Sequence, residues 1–165
     1  MATIRAAIPA DLPEILEIHN DAIATTTAIW DEEQVDLADR VAWYERLVAA
    51  GRPVLVAEVD GRVGGYASYG PFRPRSSYRH TVEDSVYVHR DFRRRGLARE
   101  LMLALLGHAY DDPDVHVVLA LIESGNTVSI ELHEDLGFEL VARLPETGRK
   151  FDRWLDLTIL RLPVG

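Results

Sequence analysis

The stretch Val86-Tyr-Val-His-Arg-Asp-Phe-Arg-Arg-Arg-Gly-Leu-Ala98 carries the densest structural signal in the chain: it predicts a strand end, a tight turn at Gly96 and a helix start. Backbone amides at the start of a helix, aided by the helix dipole, form a site for anions. Five of the 18 Lys and Arg residues lie in or just after this stretch: Arg90, Arg93, Arg94, Arg95 and Arg99. This local positive charge predicts a polyanionic ligand, and the alternative is a solvated, arginine-rich helix start.

The spacing within the turn excludes two common phosphate-binding motifs. It matches neither the GxxxxGK pattern of a Walker loop nor a GxGxxG pattern. The net charge of −9 disfavours binding of nucleic acid along a broad face, because phosphates meet net repulsion. Contact with RNA through the arginines is also disfavoured, since few aromatic residues alternate with them. We therefore expect no nucleic acid partner.

Length and composition describe an ordinary globular chain. Its 165 residues suit a single domain spanning 1–165, and 47% hydrophobic with 27% charged residues is typical of soluble proteins. The absence of cysteine excludes disulfides, thiolate metal sites and cysteine nucleophiles. No signal-peptide pattern and no run of the roughly 18 apolar residues that a membrane helix needs is found. A cytoplasmic protein without a membrane segment is expected.

Hydrophobic periodicity predicts an α/β (α+β) fold with a mixed, mostly antiparallel sheet flanked by about four helices. The predicted strands are Thr3–Ile8, Val54–Val59, Val63–Tyr69, Thr81–Val88, Val115–Ile122, Phe138–Arg143 and Trp154–Leu162. A first helix is predicted to follow Asp11. Three more are predicted over about Leu37–Ala49, Leu97–Ala109 and Thr127–Leu136. The run Val115–Ile122 is almost continuously apolar, which is typical of a central strand buried on both faces.

Three local patterns add detail. Asp60-Gly61 between two strands predicts a tight hairpin, and Gly64-Gly65 in the second strand predicts a bulge or a close backbone approach. Asp11 and Glu14 have the spacing of a capping box at the start of the first helix.

The strand Thr81–Val88 alternates clearly between its two faces. Val82, Val86 and Val88 share one face, which also takes Asp84, while the other face presents Thr81, Glu83, Ser85 and Tyr87. Glu83 thus lies a few residues before the anion-binding turn, on the polar face of its strand.

The segment Arg93-Arg-Arg-Gly96-Leu-Ala98 after Val86-Tyr-Val88 resembles the Q/R-x-x-G-x-G/A signature of the GNAT superfamily of N-acetyltransferases. Asn126, Ser129 and the run Leu132-His-Glu-Asp-Leu-Gly-Phe138 also match. The chain is most similar to the subgroup of phosphinothricin and methionine sulfone or sulfoximine N-acetyltransferases. That similarity extends over nearly the whole chain: Ile18-His-Asn20, Thr26-Thr-Ala-Ile-Trp30, Gly65-Tyr-Ala-Ser-Tyr-Gly70, Arg73, Thr81–Val88 and Lys150-Phe-Asp-Arg-Trp-Leu-Asp156.

The resemblance implies a single-domain GNAT-like fold that binds acetyl-CoA as co-substrate and needs no metal. It implies that the turn holds the pyrophosphate through Arg93, Arg94, Arg95, Gly96, Leu97, Ala98 and Arg99. Ala98 stands where many members have a second glycine. The backbone of Val86, Tyr87 and Val88 is expected to hold the pantetheine arm like an added strand. Asn126, Ser129 and His133 are expected to contact the cofactor from the next helix, and Asn126 also suits a helix N-cap.

Acetylation of an amine requires a neutral nitrogen, so a base must accept a proton. Glu83 occupies the base position that the resemblance implies and could act directly or through a water, and the alternative is a solvated carboxylate at a strand edge. His133 stands where many members carry a proton-donating tyrosine, although the subgroup also has histidine there. It could donate a proton to the leaving thiolate, or pack near the cofactor without proton transfer.

For the second substrate, an arginine fork suits the carboxylate of a small amino acid. Arg73 matches a basic position of the relatives and Arg75 matches only some of them; both could instead be surface charges. Trp30 and Phe72 could wall the pocket or belong to the core, and Tyr78, Thr81 and Glu83 complete the expected acceptor site. The run Lys150–Trp154 could add contacts, including contacts across a homodimer interface.

The expected function is acetyl-CoA-dependent acetylation of the α-amino group of a small amino acid analogue by direct transfer. Two alternatives remain: an N-acetyltransferase acting on a polyamine, an aminoglycoside or a protein N-terminus, and a non-catalytic acyl-CoA sensor. The other histidines show no metal-ligand spacing such as HExxH, so no metal is assigned.

Overall fold

Seven strands form one sheet in the order β1-β2-β3-β4-β5-β7-β6 in the computed structural model, which describes residues 1–165. The strands are β1 (Thr3–Ala6), β2 (Val54–Val59), β3 (Arg62–Pro71), β4 (Thr81–Val88), β5 (Val117–Glu123), β6 (Glu139–Lys150) and β7 (Arg153–Pro163). The helices are α1 (Leu12–Thr25), α2 (Leu37–Ala49), α3 (Leu97–Asp111) and α4 (Thr127–Asp135). The mixed sheet, the four helices and the element order confirm the predicted fold class. None of the helices combines the length and apolarity that crossing a membrane requires.

The β4–β5 pair is the single parallel pair, and it is short. Its register runs from Thr81 opposite Val117 to Glu83 opposite Leu119 and then stops. Beyond this point β4 continues to Val88 and β5 to Glu123 without pairing to each other. The two strands therefore open into a wedge in the middle of the sheet, with Glu83 at its apex.

Apolar layers cover both faces of the sheet. The larger layer contains Leu101, Met102 and Leu105 of α3 against Val82 and Val118 of the sheet. The smaller layer packs residues of α1 and α2 against the opposite face, where Tyr87 contacts it. Val82 and Tyr87 thus lie on opposite faces of β4, which confirms the predicted alternation.

Both glycine-based predictions for the β2–β3 hairpin are confirmed. The Asp60-Gly61 turn has positive φ angles of 51° and 77°, as the favoured hairpin turn requires. Ala57 pairs with Gly65 and Glu58 pairs with Val63, so Gly64 is the extra residue of a bulge. A Cβ at Gly65 would lie 2.8 Å from the carbonyl oxygen of Tyr87, so β3 and β4 approach closely because this side chain is absent.

The capping box predicted for α1 is wrong. Asp11 is already helical, with φ −82° and ψ −16°, because a 3-10 turn over Pro9–Asp11 leads straight into α1. Its carboxylate instead accepts hydrogen bonds from Arg5 at 2.7 and 2.9 Å and from the Ile8 amide at 2.8 Å. The carboxylate of Glu14 accepts from the backbone amide of Val63 at 3.1 Å. Both acids bind partners in the sheet, which local spacing does not reveal.

The final hairpin is longer than predicted, since β6 reaches Lys150 and not Arg143. The turn that joins it to β7 places Phe151 and Asp152 at positive φ, 51° and 58°. Asp152 tolerates this conformation but Phe151 does not favour it, and the turn contains no glycine, so the sequence gives only a weak signal for this hairpin.

Candidate active site

The wedge between β4 and β5 exposes a backbone edge. From Asp84 to Val88, β4 pairs with β3 on one side and with no strand on the other. An unpaired edge offers amide and carbonyl groups to any extended ligand that can hydrogen-bond like a strand. The predicted pantetheine contacts Val86, Tyr87 and Val88 all lie on this edge.

The turn before α3 is built to receive an anion. Gly96 has φ +81° and Arg94 has φ +60°, and the helix begins at Leu97. The backbone amides of residues 93–96 donate to no protein acceptor. Free amides at the positive end of a 15-residue helix fit a diphosphate group. These features suit the pyrophosphate of acetyl-CoA.

Packing holds this turn against the sheet. The Leu97 side chain is buried in the core and lies close to Gly64, where a Cβ would be 3.0 Å from Leu97 Cδ1. The bulge of β3 thus lets the start of α3 approach the sheet. Leu97 can serve a ligand only through its backbone, while Ala98 is half-buried.

The five arginine side chains near the turn differ in the contacts that they make with the rest of the protein. Arg90 and Arg93 lie 3.5 and 3.9 Å from the carboxylate of Asp21 in α1. Arg95 packs over the Phe92 ring, 5.2 Å from its centroid. Arg94 and Arg99 are exposed and make no ion pair. The positive charge predicted at the turn is therefore partly balanced by one acid of α1.

Glu83 is half-buried at the apex of the wedge, and its carboxylate makes no hydrogen bond or ion pair. Burial raises the pKa of its carboxyl, the neighbouring charge of Asp84 raises it further, and the charge of Arg73 lowers it. A carboxylate without a partner and with a raised pKa is suited to accept a proton near neutral pH.

The loop before β4 brings most of the predicted acceptor residues together. The guanidinium of Arg73 lies 4.3 Å from the centroid of the Phe72 ring, and Phe72 meets Tyr78 edge-on at 5.7 Å. The Phe72 amide donates to the carbonyl of Thr81 at 3.2 Å, which ties the loop to the start of β4. The Arg75 side chain is exposed and makes no hydrogen bond or ion pair, so the structure does not bring its guanidinium to this group.

His133 lies on the opposite face of β4 from Glu83. It is 2% exposed, and its Nε2 atom lies 3.3 Å from Oδ2 of buried Asp84. Its Nδ1 atom donates to the carbonyl of Ser129 at 2.7 Å. Burial lowers the pKa of His133, but the contacts with Asp84 and Ser129 outweigh this and raise it. Both ring nitrogens thus face protein groups, which favours the packing role over proton donation.

Asp84 is the site residue that sequence reasoning undervalued. Alternation correctly placed it on the face away from Glu83, but its partner, 49 positions along the chain in α4, was not foreseen. The signal available was an acid among valines on a core-facing strand, because such a residue requires a buried partner.

At the start of α4, the N-cap role of Asn126 is confirmed. Its Oδ1 atom accepts from the amide of Ser129 at 3.3 Å. The Nδ2 group of Asn126 makes no hydrogen bond with the protein, so a second contact to a ligand remains compatible with the cap.

Trp30 lies between the loop after α1 and the last hairpin. Its Nε1–H donates to the carbonyl of Thr27 at 3.0 Å, and its ring packs so closely on Gly148 that no Cβ could be added there. The indole also borders an open, largely acidic cavity of about 870 Å³ that includes Asp31 and Glu32. No lining residue of this cavity belongs to β4 or to the turn before α3. No group of three or more His, Asp or Glu side chains lies together as metal ligands.

A wedge with an unpaired strand edge, followed by a turn with free amides, fits the class of acyltransferases that use a CoA thioester. A profile of the acetyltransferase (GNAT) family matches residues 15–138. The chain belongs to this family and is an N-acetyltransferase.

The chain is 52% identical over 162 residues to an L-methionine sulfoximine/L-methionine sulfone acetyltransferase of Pseudomonas aeruginosa, covering 98% of this chain and 94% of that protein. It is 49% identical over 160 residues to the L-amino acid N-acyltransferase MnaT of Escherichia coli, covering 97% and 92%. The structure of a phosphinothricin acetyltransferase from Sinorhizobium meliloti in complex with acetyl-CoA superposes with a TM-score of 0.96 at 34% identity, covering 99% of this chain and 89% of that one. These matches confirm the predicted family and subgroup resemblance.

Proposed function

We propose that the protein acetylates the α-amino group of a small amino acid of the methionine sulfone, methionine sulfoximine or phosphinothricin type, using acetyl-CoA. The observation that carries this proposal is the position of Glu83. An unpaired, half-buried carboxylate stands at the apex of the wedge, with Arg73 close enough to lower its pKa.

The cofactor side of the wedge fits acetyl-CoA. When bound, acetyl-CoA supplies the acetyl group as an activated thioester. The free edge of Val86–Val88 would hold the pantetheine arm, and the turn amides with Arg94 and Arg99 would hold the phosphates. The chain has no cysteine that could carry the acetyl group as a thioester, which supports direct transfer to the amine.

On the acceptor side, Glu83 accepts a proton from the ammonium group of the amino acid, directly or through a water, so that the nitrogen becomes nucleophilic. Arg73 binds the carboxylate of the same amino acid through its planar fork. The two groups recognise the two charged ends of an amino acid. The activities for which the relatives from Pseudomonas aeruginosa and Escherichia coli are named support an acceptor of this kind.

The experiment that tests the proposal follows release of the CoA thiol from acetyl-CoA with a chromogenic thiol reagent. The protein has no cysteine and adds no background. The acceptors are L-methionine sulfone, L-methionine sulfoximine, phosphinothricin, spermidine and none, and fragmentation of the product in a mass spectrometer locates the acetyl group.

Release with the three amino acids and acetylation at the α-nitrogen is the expected result. Release with spermidine alone would keep the enzyme class and discard Arg73 as the carboxylate ligand. No release of the CoA thiol with any acceptor, together with tight binding of acetyl-CoA in a calorimeter, would favour the sensor alternative.

A further inference from the structure

Lys150 is unusual in both identity and environment. It is the only lysine in the chain, and it is 2% exposed at the end of β6. Its ammonium group makes no ion pair. All three N–H groups donate to backbone carbonyls, those of Ile23 at 2.7 Å, Thr26 at 2.9 Å and Ile29 at 2.5 Å.

These carbonyls belong to the last turn of α1 and to the loop that follows it, Thr26–Trp30, which we call the α1 loop. A cation at the C-terminal end of a helix is favourable, because the helix dipole is negative there. Only an ammonium can aim three donors from one atom at three converging carbonyls, whereas the guanidinium of arginine is a planar fork. Lys150 therefore fixes the shape of the α1 loop from the side of the last hairpin.

The α1 loop bridges the two arms of the wedge. On the β5 arm, Thr27 Oγ1 donates to the carboxylate of Glu123 at 3.0 Å, and Glu123 also accepts from the amide of Gly125 at 2.9 Å. On the β4 arm, Tyr87 packs against the cluster that contains Ile23 and Ile29. Tyr87 shares its face of β4 with Glu83, so the cluster formed by the end of α1 and the α1 loop lies on the face of the proposed base.

A direct chemical role for Lys150 is incompatible with its contacts. Its three hydrogens are engaged by the protein, and its side chain is buried away from solvent. What it controls is the place of the α1 loop, and with it the position of Trp30, whose indole donates to Thr27 of the same loop.

We propose that Lys150 is a positioning residue that holds the α1 loop as the wall of the acceptor pocket and so sets the enzyme's affinity for the amino acid. This inference rests on the proposed function. The turn that would hold the phosphates of acetyl-CoA is not in contact with Lys150, so we expect the effect to fall on the acceptor.

The experiment replaces Lys150 by methionine, which keeps the unbranched stem and removes the three donors. KM for L-methionine sulfone is expected to rise roughly ten- to a hundredfold, in line with the cost of small misplacements of a site, while KM for acetyl-CoA stays as in the unmodified enzyme. Arg149→Met removes a charge from the preceding, exposed position and is expected to change neither value. Thr27→Val removes the hydrogen bond between the same loop and Glu123 of β5. Should Lys150→Met fail to fold, this variant is expected to raise KM for the acceptor and to leave KM for acetyl-CoA unchanged.

Chemical rescue separates positioning from general stability. In Lys150→Cys the single thiol of the chain is alkylated in denaturant with 2-bromoethylamine, which rebuilds an ammonium at the length of lysine. Alkylation with iodoacetamide gives a neutral control, and the unmodified enzyme is taken through the same unfolding and refolding. The aminoethyl adduct is expected to restore KM for the acceptor, and the neutral adduct is not.

Several results would overturn the inference while leaving the proposed function standing. One is a variant that loses thermal stability but keeps KM for the acceptor; another is an equal rise of both KM values; a third is rescue by the neutral adduct. No transfer by the unmodified enzyme to any acceptor would overturn the proposed function, and the positioning role would fall with it.

Discussion

Two adjacent carboxylates of β4, Glu83 and Asp84, have different surroundings because a strand sends neighbouring side chains to opposite faces. Glu83 faces the wedge without a partner. Asp84 is buried beside His133. The same functional group, a carboxylate, is therefore suited to proton transfer at one position and to a structural ion pair at the next.

Replacing Glu83 by glutamine removes the proposed base and keeps the shape of the side chain. We expect turnover to fall by roughly 10²- to 10⁴-fold, the usual contribution of general base catalysis. Binding of acetyl-CoA, measured by calorimetry, is expected to stay close to that of the unmodified enzyme. Unchanged turnover would remove Glu83 from the mechanism.

The pH profile tests the environment of Glu83. The acidic limb of kcat/KM reports the base of the free enzyme, so it should lie above the ordinary carboxyl pKa of 4.5, because burial raises the pKa of Glu83. The charge of Arg73 lowers that pKa, so Arg73→Met is expected to move the limb to higher pH.

The matched control for this shift is Arg75→Met. Arg75 is exposed and is not among the charges that act on the pKa of Glu83, so the limb should stay in place. Arg73 also binds the acceptor in the proposed mechanism, so its replacement changes the size of kcat/KM as well. The test is therefore the pH at which the acidic limb lies, and not the size of kcat/KM. A limb that does not move in Arg73→Met would contradict the assignment of Glu83 as base.

At the scale of elements, α4 is joined to β4 through one buried ion pair. The imidazole of His133 is anchored to its own helix at Ser129 and faces Asp84 across the gap. An edge-on contact with the Phe138 ring at 5.0 Å completes its packing. The pair fixes α4 relative to the edge of β4 that would hold the cofactor.

Asp84→Asn is expected to lower the free energy of unfolding by about 3 kcal/mol, because breaking a buried ion pair leaves its partner uncompensated. The pKa of His133 is raised in the folded protein, so the stabilisation is fully present below the ordinary histidine pKa of 6.5 and is lost as the pH rises through the folded value. Urea unfolding on both sides of this range should give a larger loss at the lower pH.

The comparison variant for this measurement is Asp91→Asn. Asp91 also lies near a buried histidine, 3.8 Å from Nδ1 of His89, but its side chain is 66% exposed, so only a small loss is expected. An effect of Asp84→Asn that is constant with pH would show that His133 does not hold the charge.

At the scale of the whole molecule, the sheet ends in an exposed apolar strand. β6 is the edge of the sheet, and its outward side chains include Leu140, Val141 and Leu144, which are 58%, 57% and 41% exposed. Edge strands of this length are rarely left uncovered. The exposed apolar edge favours the homodimer expected from the sequence.

We expect the enzyme to sediment as a dimer and Val141→Lys to convert it into a monomer, because a charge on the edge strand opposes pairing. Leu103→Lys changes an equally exposed apolar residue of α3, 52% exposed, and is expected to leave the dimer intact. Sedimentation of the unmodified protein as a monomer at every concentration would contradict this prediction.

The features that the sequence by itself determined are those encoded by neighbouring residues. Strand alternation, the Asp60-Gly61 hairpin, the turn at Gly96 and the order of elements follow from periodicity and turn chemistry over a few positions. For the same reason, the anion-binding turn and the face of Glu83 could be predicted from the residues alone.

The tertiary structure decided which distant groups meet. Lys150 reaches Ile23 across 127 positions of the chain, Asp84 finds His133 in α4, and Arg5 takes the carboxylate expected to cap α1. Even the wedge depends on β4 and β5 ceasing to pair after Glu83. These partners are set by how whole elements pack, because burial requires each polar group to find a partner wherever the fold supplies one, and local sequence does not specify that partner.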